Sequence, residues 1–156
     1  MKATASFQTN HKKLEPGLYV YKREVVGNQS ITTFDLRFGC SDGDASITQE
    51  VIEAIEDIGT LYLKKISPRR EDVIYFGTVR SDARFTLIMR GLLSSEDIAD
   101  TVTKMCDFIL MNGGQILENN KYKRESYSER EIDDVKLCVI EYSDMLRNNP
   151  CYEYPA

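Results

Sequence analysis

TFDLRF, residues 33–38, alternates apolar and polar side chains, as a β-strand with one buried face does. Successive side chains of a strand point to opposite faces, so the two phenylalanines and the leucine share one face. Asp35 and Arg37 share the other. That second face is expected either to meet water or to line a polar pocket.

Segments on both sides of this strand extend the pattern into two strand pairs. Residues 18–26 are rich in valine and tyrosine, and Gly27-Asn28-Gln29 separates them from a second strand at 30–38. Two runs of this kind around a short polar break predict a hairpin. A second pair is predicted at residues 73–79 and 83–90.

Three helices follow from capping patterns and from apolar residues at helical spacing. The first has a capping box at Ser46 and Gln49 and should end near Ile66, before Pro68. The second begins at Ser94-Ser95 and should stop at Gly113-Gly114. The third begins at Ser128, with Glu131 completing its capping box, after an irregular segment at residues 115–127.

The order of these elements, β-β-α-β-β-α-α, predicts an α+β fold. We expect an antiparallel sheet packed with helices. Neither a repeat nor a linker is visible in the 156 residues, so a single domain over residues 1–156 is the simplest organisation.

Composition excludes several classes of function. The net charge of −5 gives no electrostatic basis for binding nucleic acid or an anionic membrane. No apolar run approaches the roughly 18–20 residues that span a bilayer, and no secretory signal is visible, so a cytoplasmic location is expected. The four cysteines form no C-x-x-C pair and are expected to be reduced.

Several short stretches, in order, resemble the S-ribosylhomocysteine lyase (LuxS) family. SFQTNH at residues 6–11 is similar to the family's S-F-x-x-D-H, and TFDLRF matches its F-D-L-R-F strand. Residues 76–91 and the helix start at 94–100 stand where the family has its I-S-P-M-G-C segment and the next helix. The resemblance implies the LuxS fold and a homodimer whose pocket lies at the interface.

The resemblance also implies a chemistry. The family uses iron or zinc, held by two histidines of H-T-L-E-H and by a later cysteine, to release homocysteine and the autoinducer precursor from S-ribosylhomocysteine. The glutamate of that motif and the cysteine of M-G-C move protons in this reaction.

This chain departs from the family at the metal-binding positions. H-T-L-E-H reads EAIED, so Glu53 and Asp57 replace the two histidines, while Glu56 keeps the acid–base position. Ser81 stands for the catalytic cysteine, and Asn119 is the best match to the third metal ligand. We therefore expect neither iron nor zinc as a cofactor, although a hard divalent cation could bind the carboxylates.

The positions implied for substrate binding are better preserved. Ser6, His11 and Arg37 match family residues that contact the ribose side of the substrate, with Ser6 and His11 reaching across the dimer interface. Tyr75 replaces an aspartate that helps to hold the homocysteine end. His11 is the only histidine of the chain, so a histidine-based metal site has no second ligand elsewhere.

Each of these residues also has a structural interpretation. Glu53, Glu56 and Asp57 could form a solvated acidic helix face, which the helix dipole favours. Ser81 has no histidine in sequence reach to activate it as a nucleophile. Arg37 could clamp an anion or a sugar hydroxyl, or could form a salt bridge with Asp35 or with an acid on a helix.

The C-terminal tyrosines also have both a functional and a structural interpretation. Tyr142, Tyr152 and Tyr154 could form an interaction surface, but the neighbouring prolines favour an ordinary tail.

Three hypotheses for function remain. The first is a LuxS-like dimer that is no longer a lyase and binds a small ligand, such as a sugar-bearing or nucleoside-derived metabolite, or serves as a scaffold. The second is an enzyme of altered chemistry, with Glu56 as base and a hard metal at Glu53 and Asp57. The third is the family's lyase activity.

Overall fold

The computed structural model describes residues 15–39, 48–78, 84–118 and 127–154. Within these ranges, four strands and three helices follow one another in the predicted order. The strands are β1 (Gly17–Val26), β2 (Gln29–Arg37), β3 (Val73–Thr78) and β4 (Arg84–Arg90), and the helices are α1 (Gln49–Leu61), α2 (Ser95–Glu118) and α3 (Glu129–Asn148). The predicted α+β class is confirmed.

The strands form one antiparallel sheet in the order β1-β2-β4-β3, which leaves β1 and β3 at its edges. The β1–β2 turn is shorter than predicted, because Gln29 pairs with Val26 and begins β2. Gly27 has a φ of 64°, a left-handed conformation that two-residue hairpin turns need and that glycine adopts without strain.

One face of the sheet packs against the helices, as the alternation in β2 predicts. Phe34 and Leu36 are fully buried on this face, and Phe38 is 1% exposed. The ring of Phe38 stacks on Tyr142 of α3 with centroids 3.9 Å apart and meets Phe85 of β4 edge-on at 5.1 Å. These contacts join the end of β2 to both the sheet and the last helix.

The N-cap of α1 differs from the prediction. Thr48 occupies the cap, and its hydroxyl accepts a hydrogen bond from the Val51 amide at 3.3 Å. Threonine and serine are both common at this position because their hydroxyls accept a hydrogen bond from a free amide of the first turn. The predicted cap at Ser46, which lies outside the described ranges, is therefore wrong, because the helix begins after Thr48. The predicted end near Ile66 is confirmed, because a π-helical turn over Tyr62–Ile66 continues α1 and Ser67 caps it.

The glycine pair 113–114 does not end α2, which runs on to Glu118. A Cβ at Gly113 would lie 3.4 Å from Ile58 of α1, and one at Gly114 would lie 3.7 Å from Ile132 of α3. Both distances are ordinary van der Waals separations, so the glycine pair lies where α2 passes α1 and α3, and the extra turn of α2 buries Leu117. No helix in the described parts of the chain is long and apolar enough to cross a membrane.

The third helix begins as predicted, with a complete capping box between Ser128 and Glu131. The expectation of four reduced cysteines is wrong for Cys138, which is disulfide-bonded, whereas Cys106 and Cys151 carry free thiols. Burial raises the pKa of the Cys106 thiol to about 12, so it stays protonated and behaves as a small core residue.

Candidate functional site

The polar face of β2 is partly covered by the C-terminal tail that follows α3. The Leu18 amide of β1 donates to the Cys151 carbonyl at 2.9 Å, which fixes the start of the tail at the sheet edge. Further along, Tyr154 stacks on Tyr19 with ring centroids 4.6 Å apart, and its hydroxyl donates to Asp35 Oδ2 at 2.9 Å. The expectation of an ordinary tail is therefore wrong.

The tail leaves the Tyr19 hydroxyl in a buried setting. This hydroxyl donates to the Glu15 carbonyl and lies 3.3 Å from the Cys151 sulfur. Burial, followed by the contact with Cys151, raises the pKa of Tyr19 well above its ordinary value. Tyr19 is thus a neutral hydrogen-bond donor that helps to hold the tail in place.

Asp35 forms a buried ion pair at the centre of this face. Arg84 Nε donates to Asp35 Oδ1 at 3.0 Å, and the two side chains are only 14% and 4% exposed, respectively. With Tyr154 on the other oxygen, both carboxylate oxygens accept a hydrogen bond. Buried charges are stable only when they are paired and hydrogen-bonded in this way.

Arg37 and Arg84 occupy directly opposite positions on β2 and β4. Opposite residues of an antiparallel pair project from the same face of a sheet. Two guanidinium groups therefore stand at one end of the polar face, with Asp35 as a nearby acidic partner. Such a pair can receive a carboxylate, a phosphate or the hydroxyls of a sugar.

Glu56 reaches the same end of the sheet from α1. Its Oε1 accepts a hydrogen bond from the Thr78 amide at 3.3 Å, and Thr78 is the last residue of the edge strand β3. Thr78 pairs with Phe85, one residue from Arg84. The half-buried carboxylate is thus held at the end of β3, beside the strand that begins at Arg84.

Gly77 provides the space in which Tyr75 and Glu56 approach each other. A Cβ at this position would collide with the Tyr75 hydroxyl and lie 2.8 Å from Glu56 Oε1. Tyr75 is 46% exposed, so its ring forms part of the outer surface here. The structure therefore brings together Glu56, which the sequence predicted as catalytic, and Tyr75, which it predicted as substrate-binding.

The counterparts of the metal ligands are less closely grouped. Glu53 is half-buried on α1 and Asp57 is exposed one turn later. In the described ranges, no group of three or more histidine, cysteine, aspartate or glutamate side chains is placed to hold a metal ion. The remaining predicted site residues, Ser6, His11, Ser81 and Asn119, lie outside the described ranges.

The sequence patterns did not single out Arg84, and they pointed to Tyr154 only as one of the C-terminal tyrosines, without a link to Asp35. The RFTLIMR pattern of β4 alternates as β2 does, so it could have placed Arg84 on the polar face. Tyr154 has no such local signal, because its contact with Asp35 joins residues 119 positions apart.

Comparison with known proteins identifies the family. The family model described as S-Ribosylhomocysteinase (LuxS) matches residues 4–150. The chain belongs to the LuxS family. It is 32% identical over 148 residues to the S-ribosylhomocysteine lyase of Finegoldia magna, covering 95% of this chain and 94% of that protein. The lyase of Borreliella burgdorferi is 30% identical with the same coverage, and that of Clostridium acetobutylicum is 32% identical over 74% of this chain and 73% of its own length.

The LuxS match includes Arg37, Glu56, Tyr75 and Arg84 but ends before the tail. Tyr154 therefore lies beyond the residues that match the LuxS model, although it supplies a hydrogen bond to Asp35 within them. The polar face of this LuxS-family chain thus combines residues of the matched region with a contact from outside it.

Proposed function

We propose that this LuxS-family protein is a homodimer that binds a small sugar-bearing or nucleoside-derived metabolite and does not perform the lyase reaction. The observation that carries the proposal is the placement of Arg37 and Arg84 opposite each other, with Glu56 held at the end of the neighbouring strand β3 and the Tyr75 hydroxyl close to Glu56. Arginines suit the polar groups of such a ligand, and the carboxylate and phenol add further hydrogen-bonding groups.

The donor set argues against iron or zinc. Those metals favour imidazole and thiolate ligands, whereas Glu53 and Asp57 offer only carboxylate oxygens. The chain has a single histidine, which leaves no pair of imidazoles within one subunit. No step of the function proposed here therefore passes through a metal.

The proton-transfer groups point the same way. Ser81, aligned with the family's catalytic cysteine, carries a hydroxyl whose pKa lies far above that of a thiol. Glu56 is held by the Thr78 amide, but a base contributes little to this chemistry without a polarised carbonyl beside it. Glu56 acts instead as an acceptor for a ligand hydroxyl.

The lyase reaction itself is the second candidate. The family match and the relatives named S-ribosylhomocysteine lyase support it directly. The altered enzyme with a hard cation at Glu53 and Asp57 has weaker support. These two carboxylates are one helical turn apart, but Asp57 is exposed and the described residues add no third metal-binding side chain to them.

Ligand binding should depend on Arg37. We expect S-ribosylhomocysteine to raise the melting temperature of the protein, and the shift to disappear in Arg37→Ala because the ligand loses a charge-assisted hydrogen bond. A matched control is Arg90→Ala, since Arg90 is an exposed arginine at the opposite end of β4. Differential scanning fluorimetry measures both.

Two results would count against this proposal. The same ligand shift in Arg37→Ala as in the unmodified chain would remove Arg37 from the site. Loss of the shift in Arg90→Ala as well would show a general effect of surface charge and not a site at the end of β2.

A further inference from the structure

A cavity lies beside the tail contact described above, between β1, the first turn of α2 and the C-terminal tail. Its volume is about 310 Å³. It is lined by one apolar residue, three charged residues, two serines and two tyrosines: Val20, Arg23, Glu96, Glu153, Ser94, Ser95, Tyr152 and Tyr154. This volume is at the lower end of the roughly 300–1,000 Å³ of small-molecule sites, so it suits a ligand smaller than a nucleotide.

One part of the cavity favours a negative group. Arg23 is held in place by a hydrogen bond from its Nε to the Leu93 carbonyl at 3.2 Å, which leaves its terminal nitrogens able to donate. The N-terminus of α2, a helix of 24 residues, adds the partial positive charge of the helix dipole.

Ser95 provides a second, independent indication of a ligand. This residue of the first turn of α2 lines the cavity and is only 3% exposed. Its hydroxyl has no hydrogen-bond partner among the described residues. Buried hydroxyls are almost always hydrogen-bonded, so a polar ligand atom next to Ser95 would complete its bonding.

Another part of the cavity favours a positive group. Glu96 and Glu153 contribute carboxylates, and Tyr152 and Tyr154 contribute aromatic rings. Glu96 and Tyr152 line the same cavity, and burial, followed by the charge of Glu96, raises the pKa of Tyr152. Carboxylates beside aromatic faces are a favourable setting for an ammonium group.

We propose that this cavity binds a free α-amino acid. Its carboxylate would lie at Arg23, Ser95 and the α2 N-terminus, and its ammonium group at Glu96 and Glu153. A simple anion would be repelled by the two glutamates, and a simple cation by Arg23 and the helix dipole. Only a small zwitterion satisfies both parts, and Val20 with the tyrosine rings would contact an apolar side chain.

This site is independent of the function proposed above, because none of its eight lining residues belongs to the Arg37 and Glu56 group. Tyr154 connects the two regions physically, since it lines the cavity and also donates to Asp35. Either site can therefore fail its test without affecting the argument for the other.

Three probes with the same branched carbon skeleton test the charge requirement. L-Leucine carries both charges, 4-methylpentanoate carries only the carboxylate, and isoamylamine carries only the ammonium group. Isothermal titration of the full chain should show saturable binding of leucine and at least about tenfold weaker binding of the other two, since each lacks one set of charge-assisted bonds. Absence of leucine binding, or equal binding of all three, would overturn the proposal.

Variants locate the site. Arg23→Gln and Glu96→Gln change exposed side chains and should each weaken leucine binding at least about tenfold without changing the melting temperature. Lys22→Gln is the matched control, because Lys22 neighbours Arg23 but pairs with Glu24 outside the cavity. Leucine binding that survives both Arg23→Gln and Glu96→Gln would place the ligand elsewhere and contradict the proposal.

Discussion

Arg84→Ala should lower the free energy of unfolding by about 3 kcal/mol, because it removes one partner of a buried ion pair. The carboxylate of Asp35 is only 4% exposed, and Arg84 Nε lies 3.0 Å from its Oδ1. Without the guanidinium, a negative charge stays buried in the protein, and the hydrogen bond from Tyr154 does not neutralise it. Urea unfolding followed by circular dichroism measures the change.

Two further variants distinguish the loss of the ion pair from the effect on stability of removing any arginine. Arg90→Ala, at the exposed end of the same strand, should cost less than about 0.5 kcal/mol. Adding Asp35→Asn to Arg84→Ala should restore part of the lost stability, because the uncompensated charge is gone. Equal effects of Arg84→Ala and Arg90→Ala would show that the pair contributes nothing.

Phe38→Ala should have an effect of similar or larger size, about 3–5 kcal/mol, because it leaves a cavity where three aromatic rings meet. Phe38 is 1% exposed, stacks on Tyr142 at 3.9 Å and meets Phe85 at 5.1 Å. The loss also removes a contact between the sheet and α3. The midpoint of chemical unfolding should fall with little change in the slope.

Phe38→Leu is a useful companion variant, since it keeps much of the buried apolar area and should cost less than Phe38→Ala. Val26→Ala is the surface control, because Val26 is 58% exposed at the hairpin tip. If Phe38→Ala were no worse than Val26→Ala, the packing described for the end of β2 would be wrong.

Most of the fold follows from local patterns in the sequence. The alternation in β2, the Gly27 turn and the capping box at Ser128 each depend on residues close together in the chain, and the structure contains all three. The glycine pair 113–114 shows the limit of such reasoning. Glycine commonly ends a helix, but here α2 continues through the pair to Glu118, beside Ile58 and Ile132 of the neighbouring helices.

The candidate site could be predicted only in part. The face shared by Asp35 and Arg37 follows from strand periodicity, and the roles of Glu56 and Tyr75 follow from the LuxS resemblance. The meeting of Glu56 with Thr78 and Gly77 depends on how α1 packs beside an edge strand, which no local pattern encodes. The hydrogen bond from Tyr154 to Asp35 joins residues 119 positions apart in the chain. No pattern in the residues around Tyr154 predicts it.

Thiol release from S-ribosylhomocysteine tests the central claim most directly. The purified chain should be assayed with added iron or zinc, beside the Finegoldia magna lyase as a positive control, and its bound metal should be measured in parallel. We expect no thiol release above background and no stoichiometric iron or zinc. Turnover comparable to that of the control, with one metal ion per subunit, would contradict the proposal and establish the chain as a lyase.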